Sequence, residues 1–122
     1  MWLMTRHGFF SIVEKPEKGT FHLRSRERRD LQNLIQRVPA LAACGAQVID
    51  TPDGDYAARI LIGKPELDTV MAFLGDSIDY SNFKSRIATT PDQAHKPYHE
   101  VWDVMADALG SYGRPGTRTR SE

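Results

Sequence analysis

The stretch Met1–Val13, MWLMTRHGFFSIV, decides the fold because it is the most apolar and aromatic run in the chain. Five of its side chains are of the aromatic or β-branched types that favour strands: Trp2, Phe9, Phe10, Ile12 and Val13. A glycine inside such a run is typical of a bulge or a bend. The stretch therefore predicts a central β-strand, bent near Gly8, on which the other elements pack.

The residues that follow predict an antiparallel partner for this strand. Glu14–Gly19 is a charged stretch punctuated by Pro16 and Gly19, which is typical of a turn. Thr20–Arg26 then alternates between apolar and polar residues, as a half-buried strand does. Because the connection is short, we expect the two strands to form a hairpin.

A helix and a second hairpin are predicted next, so that the strand–strand–helix layout recurs without a repeat of its residues. Apolar residues at helical spacing predict a helix over Arg28–Val38, which Pro39 ends. Turn residues at Thr51–Asp55 predict a second hairpin, which joins Gln47–Asp50 to Tyr56–Ile62.

Three helices are predicted after the second hairpin. The first starts at Gly63–Glu66, where a proline suits the first turn. Asp79 is the expected N-cap of a short helix over Tyr80–Ala88. After a polar loop over residues 89–96, the last helix is expected to begin at Pro97 and to end at Gly110.

Together these elements predict an α+β fold of order β-β-α-β-β-α with two further C-terminal helices. The expected sheet has four strands, is mainly antiparallel and carries its helices on one face. Residues 1–110 form the predicted single domain, in whose core Trp2 and Trp102 are expected. Residues 111–122, with three arginines and several turn residues, predict a disordered basic tail.

The numbers of basic and acidic residues exclude a chain of high net charge. Lys+Arg and Asp+Glu number 16 each in 122 residues, so no overall field favours nucleic acid, a membrane or an acidic partner. No apolar run approaches the roughly 20 residues that span a bilayer, and Arg6 and His7 interrupt the first apolar residues too early for a signal peptide. The single cysteine, Cys44, suits a reducing compartment. We expect a cytoplasmic protein with no membrane partner.

The densest charge runs from Arg24 to Asp30, from the outer face of a predicted strand into the start of a helix. Arginine side chains near helix amides suit a phosphate or carboxylate group. The candidate ligand-binding residues are Arg24, Arg26, Arg28 and Arg29. Arg6 and Arg59 join them if their strands present the same face, and His7 joins them if the bend near Gly8 aims it there. The alternative is a solvated face, which the interleaved acidic residues favour.

A second candidate site is the run Asp79–Lys84, DYSNFK. Its candidate polar ligands are Tyr80, Asn82 and Lys84. The simpler alternative is that Asp79 caps a helix, Tyr80 packs, and the other two side chains face water.

The spacing of the histidines does not predict a metal site. His95 and His99 are four residues apart, but Pro97 lies between them and no third ligand has matching spacing. His99 is also a candidate ligand-binding residue and, beside Glu100 and Asp103, has groups for acid–base chemistry, but no nucleophile is implied. Phosphate loops, paired-cysteine motifs and nucleophile elbows do not occur in the sequence. We therefore expect no catalytic residues, no metal and no cofactor.

Several segments resemble an uncharacterised family of short bacterial proteins. The likeness lies in the Met-Trp-x-x-Thr-x-x-Gly-Phe opening, in Asp55–Tyr56, in the Asp-Tyr-x-Asn-Phe-Lys segment of Ile78–Lys84 and in His99–Met105. It covers most of the chain up to Leu109. The resemblance implies a stand-alone bacterial protein and brings no activity, cofactor or catalytic residue.

Three functional hypotheses follow from the sequence. The first is a cytoplasmic binding or interaction protein without catalysis, which takes a protein partner or forms a homodimer. The second is binding of nucleic acid or of a phosphate-bearing ligand through Arg24–Arg29. The third is a small enzyme in which His99 works with Asp79, Tyr80 or Lys84.

Overall fold

The computed structural model of the chain describes residues 1–89 and 95–110. The chain divides into two compact units, Met1–Asp79 and Tyr80–Glu122. The predicted disordered tail, residues 111–122, lies outside the described residues, as do residues 90–94 of the predicted polar loop. A single domain over residues 1–110 stays a prediction.

The first unit, all of whose residues are described, holds a five-stranded antiparallel sheet and three helices. Its elements in chain order are β1 (Trp2–Thr5), β2 (Gly8–Glu14), β3 (Phe21–Ser25), α1 (Arg28–Arg37), α2 (Pro39–Ala43), β4 (Ile49–Asp50), β5 (Ala58–Ile62) and α3 (Lys64–Asp76). The strands lie in the order β1-β2-β3-β5-β4, so β3 is central. The α+β class and the antiparallel sheet are confirmed, whereas the strands number five rather than four.

The opening stretch is a hairpin, and the prediction of one bent central strand is wrong. β1 lies at the sheet edge, and Arg6 and His7 form the turn to β2. The Thr5 hydroxyl donates to the carbonyl of Gly8 at 2.8 Å and accepts from the His7 N–H at 3.0 Å. Gly8 has a φ of +138°, and a Cβ there would lie 2.6 Å from the Asp30 side chain. The glycine therefore marks a full reversal of the chain with close approach to α1.

The core lies between one face of the sheet and the helices of the first unit. Ile12 lies opposite Leu23, and Leu23 lies opposite Ile60. Alternate residues of a strand share a face, so these side chains form one apolar layer. The helices α1 and α3 bury against this layer the side chains of Leu31, Leu34, Leu67 and Val70. This burial sends the intervening strand residues to the opposite face.

Pro39 has a different role from the predicted one. The apolar pattern of the first helix is confirmed, with α1 ending at Arg37. Pro39 does not only stop that helix, because it is also the first residue of α2. The fixed φ of proline and its missing N–H suit the first helical position.

The described part of the second unit contains α4 (Phe83–Ala88) and α5 (His95–Leu109). α5 begins at His95 rather than at Pro97, and the N–H of Gly110 donates to the carbonyl of Ala106 at the predicted helix end. Within residues 1–89 and 95–110, no helix combines the length and apolar character needed to span a bilayer.

The predicted cap of α4 is wrong. Asn82, not Asp79, is the N-cap, since its side-chain oxygen accepts a hydrogen bond from the Ser85 N–H at 3.0 Å. Both residue types favour this position, so local sequence does not distinguish them. Tyr80 consequently precedes the helix instead of belonging to it.

Ring and cation contacts join α4 to α5. The Phe83 ring stacks on the Tyr98 ring with 5.7 Å between their centres. The Lys84 Nζ lies 3.6 Å from the centre of the Trp102 ring. Trp102 is nevertheless 49% exposed, and Trp2, which points away from the core on an edge strand, is 74% exposed. The prediction that both tryptophans are core residues is therefore wrong.

Candidate anion-binding face

The sheet face opposite the core carries two arginines, a histidine and a serine. Strand alternation sends to this face the neighbours of the core side chains. We call it the arginine face and define it by Trp2 and Met4 of β1, Phe9, Ser11 and Val13 of β2, His22 and Arg24 of β3, Ile49 of β4, and Arg59 and Leu61 of β5. None of these side chains is acidic.

One row of the arginine face crosses the whole sheet. Trp2 lies opposite Ser11, and Ser11 lies opposite Arg24. Arg24 in turn lies opposite Arg59, and Arg59 opposite Ile49. Because neighbouring strands lie about 4.8 Å apart, the backbone of Arg24 is about 10 Å from that of Trp2, and that of Arg59 is about 14 Å from it. Two guanidinium groups therefore follow an exposed indole along one line.

Arg24 is held by a hydroxyl group and an aromatic ring. Its Nη2 donates to Ser11 Oγ at 2.7 Å, and its Cζ lies 4.6 Å from the centre of the Tyr56 ring. The Arg26 guanidinium lies 4.8 Å from the same ring and donates to the Asp55 carbonyl at 2.8 Å. Ser11 and Tyr56 are both buried. These contacts position Arg24 without neutralising its charge.

Arg59 pairs with a neutral histidine. Its Nη1 lies 2.9 Å from Nδ1 of His22. Because a guanidinium group has only donors, the imidazole Nδ1 is the acceptor and the ring proton lies on Nε2. Burial, and next the positive charge of Arg59, hold the pKa of His22 below its usual value.

Two buried nitrogen atoms of this cluster, Nε of Arg24 and Nε of Arg59, have no acceptor among the described residues. Such donors are rare in folded proteins because each costs free energy. Arg24 and Arg59 also face each other as like charges on neighbouring strands, which is unfavourable. Chemically, the cluster can accept an anion whose oxygen atoms match the guanidinium groups.

The structure divides the predicted patch Arg24–Arg29. Its first two arginines share the tyrosine ring, whereas Arg28 forms an ion pair with Asp50 and Arg29 lies exposed on α1. Arg59 joins Arg24, because β5 pairs with β3 and presents the same face. The cluster therefore forms across strands rather than along one segment.

Arg6 and His7 do not belong to the arginine face. The Nε of Arg6 donates to the Ser77 carbonyl at 2.9 Å and lies 3.7 Å from Oδ1 of Asp79. The His7 ring packs on the Phe73 ring with 4.9 Å between centres. Both side chains thus fix the β1–β2 turn to the C-terminal end of α3.

The candidate residues of the second unit make capping and packing contacts. Asn82 caps α4, Lys84 lies on an indole ring, and Tyr80 packs on a phenylalanine ring. His99 is exposed on α5, and none of these contacts involves it. The enzyme hypothesis built on His99 gains no support from them.

Sequence reasoning missed most of the arginine face, since only Arg24 and Arg59 of its members are predicted site residues. Ser11 is absent from the predicted site residues, and Trp2 is predicted for the core. The alternation of β2 carries the signal that could have found Ser11. Phe10 and Ile12 are core residue types, which places Ser11 between them on the other face.

No protein-family model, curated protein or solved structure matches this chain. Its function is therefore argued from the chemistry of the site. Within residues 1–89 and 95–110, no three His, Cys, Asp or Glu side chains are grouped so as to hold a metal ion.

Proposed function

We propose that this protein is a binding protein whose arginine face takes an anionic, phosphate-bearing ligand. The observation that carries the proposal is the cross-strand pair Arg24 and Arg59 on a face whose defining strand residues include no acidic side chain. An oxyanion between them offsets their mutual repulsion and supplies acceptors for guanidinium N–H groups. Phosphate suits the pair because its oxygen atoms match the planar fork of arginine.

The proposal concerns binding rather than catalysis. The side chains that touch Arg24 and Arg59 are a hydroxyl, a phenol ring and a neutral imidazole. They hold the guanidinium groups in position, and they include no carboxylate that could act as a base beside a bound anion.

Isothermal titration with inorganic tripolyphosphate at low salt tests this function. We expect binding that weakens as sodium chloride rises, because the contact is ionic. The double variant Arg24→Ala with Arg59→Ala should lose at least tenfold in affinity, whereas Lys18→Ala, in the β2–β3 turn, should bind normally. The proposal is refuted if the unmodified protein does not bind tripolyphosphate or if the double variant binds it equally well.

Self-association through β1 is a second candidate function. β1 is an edge strand, and its Trp2 and Met4 side chains are exposed. Edge strands pair readily with other chains, so two copies can extend the sheet by joining at β1. Sedimentation analysis should then show a dimer that Met4→Lys dissociates, whereas a strict monomer at high concentration counts against this candidate.

A further inference from the structure

The arginine face carries two neighbouring aromatic side chains, Trp2 and Phe9, on its β1 and β2 strands. The Trp2 and Phe9 rings lie with 6.4 Å between their centres at an angle of 59°. Trp2 is largely exposed on the edge strand. Exposed aromatic rings bind the flat faces of nucleobases by stacking, with little preference among bases.

The row across the sheet places this stacking surface beside the cations. Ser11 separates Trp2 from Arg24, and Arg59 follows Arg24 on the next strand. In a nucleotide strand each base lies to one side of the sugar–phosphate backbone. An aromatic ring beside positive charges can therefore contact a base while the charges contact phosphates. Apart from His22, the remaining side chains of the face are apolar and offer contacts to further bases and sugars: Met4, Phe9, Val13, Ile49 and Leu61.

We infer that the ligand of the arginine face is single-stranded nucleic acid, an assignment that rests on the proposed anion-binding function. Stacking on Trp2 requires an unpaired base, which a duplex does not offer on its surface. The arginine face is built from strand side chains, whereas α1 and α3 pack on the opposite face, and a duplex groove is entered by a protruding helix or ribbon. An acidic peptide matches the arginines but gives no reason for an exposed indole in the same row.

The arginines carry the ionic part of this interaction. Arg24 and Arg59 contact phosphates, with Arg26 beside them on the Tyr56 ring. Because the whole chain has balanced charge, attraction is confined to this face. The affinity is therefore expected to depend on salt with a shallow slope, as only a few phosphates are neutralised.

Fluorescence anisotropy with labelled oligo(dT) and oligo(U) tests the inference on the full chain. Trp2→Ala should weaken binding about tenfold, because one base loses its stacking partner. Trp2→Tyr should largely restore the affinity, since a phenol ring also stacks. Ile78→Ala, which truncates an exposed aliphatic side chain outside the arginine face, is the control and should bind as the unmodified protein does.

Tryptophan emission gives a second readout that does not depend on affinity. The Trp102→Phe variant leaves Trp2 as the only tryptophan, and its emission should be quenched when oligo(dT) binds. Tripolyphosphate, which has no base, should bind without this quenching.

Three results would overturn the inference while leaving the anion-binding function intact. The first is that tripolyphosphate binds as tightly as the oligonucleotide and that Trp2→Ala has no effect. The second is that a duplex of the same sequence binds with equal affinity. The third is that a mononucleotide or poly-glutamate binds as tightly as the oligonucleotide. If tripolyphosphate itself fails to bind, the proposed function fails and this inference fails with it.

Discussion

Arg24 and Arg59 lie directly opposite each other on β3 and β5, and none of the strand residues that define the arginine face is acidic. Like charges in a cross-strand pair are destabilising, so an anion that binds both groups stabilises the folded state. We therefore expect sodium phosphate to raise the Tm more than sodium chloride does at equal ionic strength. Differential scanning calorimetry in the two salts measures the difference.

Phosphate also strengthens apolar burial in general, so this test needs matched variants. Arg59→Met keeps a long side chain on β5 but removes one guanidinium group, and it should lose the extra stabilisation by phosphate. Arg37→Met, in the last turn of α1, should keep it. An equal increment in both variants would contradict the prediction.

Substitution of Gly8 should be costly because of its backbone and its close neighbour. Its φ is +138°, and an added Cβ would lie 2.6 Å from the Asp30 side chain. Gly8→Ala should lower the free energy of unfolding by about 1–3 kcal/mol. Gly19, with a φ of +84° and nothing within 4 Å of an added Cβ, is the matched control. Gly19→Ala should cost only about 1 kcal/mol, and equal losses in urea denaturation would refute the role of Asp30.

The two faces of the sheet should respond differently to the same truncation. Leu23 is fully buried in the core layer, whereas Leu61 is 41% exposed on the arginine face. Leu23→Ala should lower the free energy of unfolding by about 2–5 kcal/mol, because it leaves a cavity. Leu61→Ala should change it by less than about 1 kcal/mol, since the site is open to water. Urea unfolding of both variants checks the assignment of the faces.

His22 should make the stability of the folded protein sensitive to acid. Burial and the charges of Arg59, Lys15 and Arg24 lower its pKa in the folded state. The unfolded chain, with a pKa of about 6.5, therefore binds the proton more readily. Stability from this residue is complete above that pH and falls as the pH decreases toward the lowered folded pKa.

His22→Asn tests this titration, since its side-chain oxygen can still accept from Arg59. Urea unfolding between neutral and mildly acidic pH should show a smaller loss of stability in the variant than in the unmodified protein. Parallel pH profiles for the two proteins would show that another group is responsible.

The cap of α4 gives a local prediction. Asn82→Ala should speed hydrogen exchange at the Ser85 amide, because that N–H loses its acceptor at 3.0 Å. The expected loss of local stability is about 1 kcal/mol. Asn82→Asp retains an acceptor oxygen and should preserve the protection. If Asp79→Ala has the larger effect on Ser85, the assigned cap is incorrect.

Local pattern was enough to predict the β2–β3 hairpin and the helix α1. In each case the period of the apolar residues follows directly from burial on one side. The turn at Arg6 and His7 was not predictable in this way, because neither residue type marks a turn. Gly8, the residue that makes the reversal possible, comes after the turn and resembles a bulge inside a strand.

The candidate site was predictable only in part, for a similar reason. Its members Arg24 and Arg59 were both singled out, but their pairing depends on β5 lying beside β3. Strand order is set by packing among distant segments, which a local pattern does not encode. The same limit applies to Asp79, whose ion pair with Arg6 comes from the start of the chain.

The position of β5 beside β3 also bears on the order of folding. β1, β2 and β3 form a meander of short connections, so their contacts close quickly. β5 reaches β3 only after the chain has passed through α1, α2 and β4, and this long closure costs more entropy. We expect the meeting of Arg24 and Arg59 to be a late event, so a ligand that needs both arginines distinguishes a completed sheet from a partly folded one.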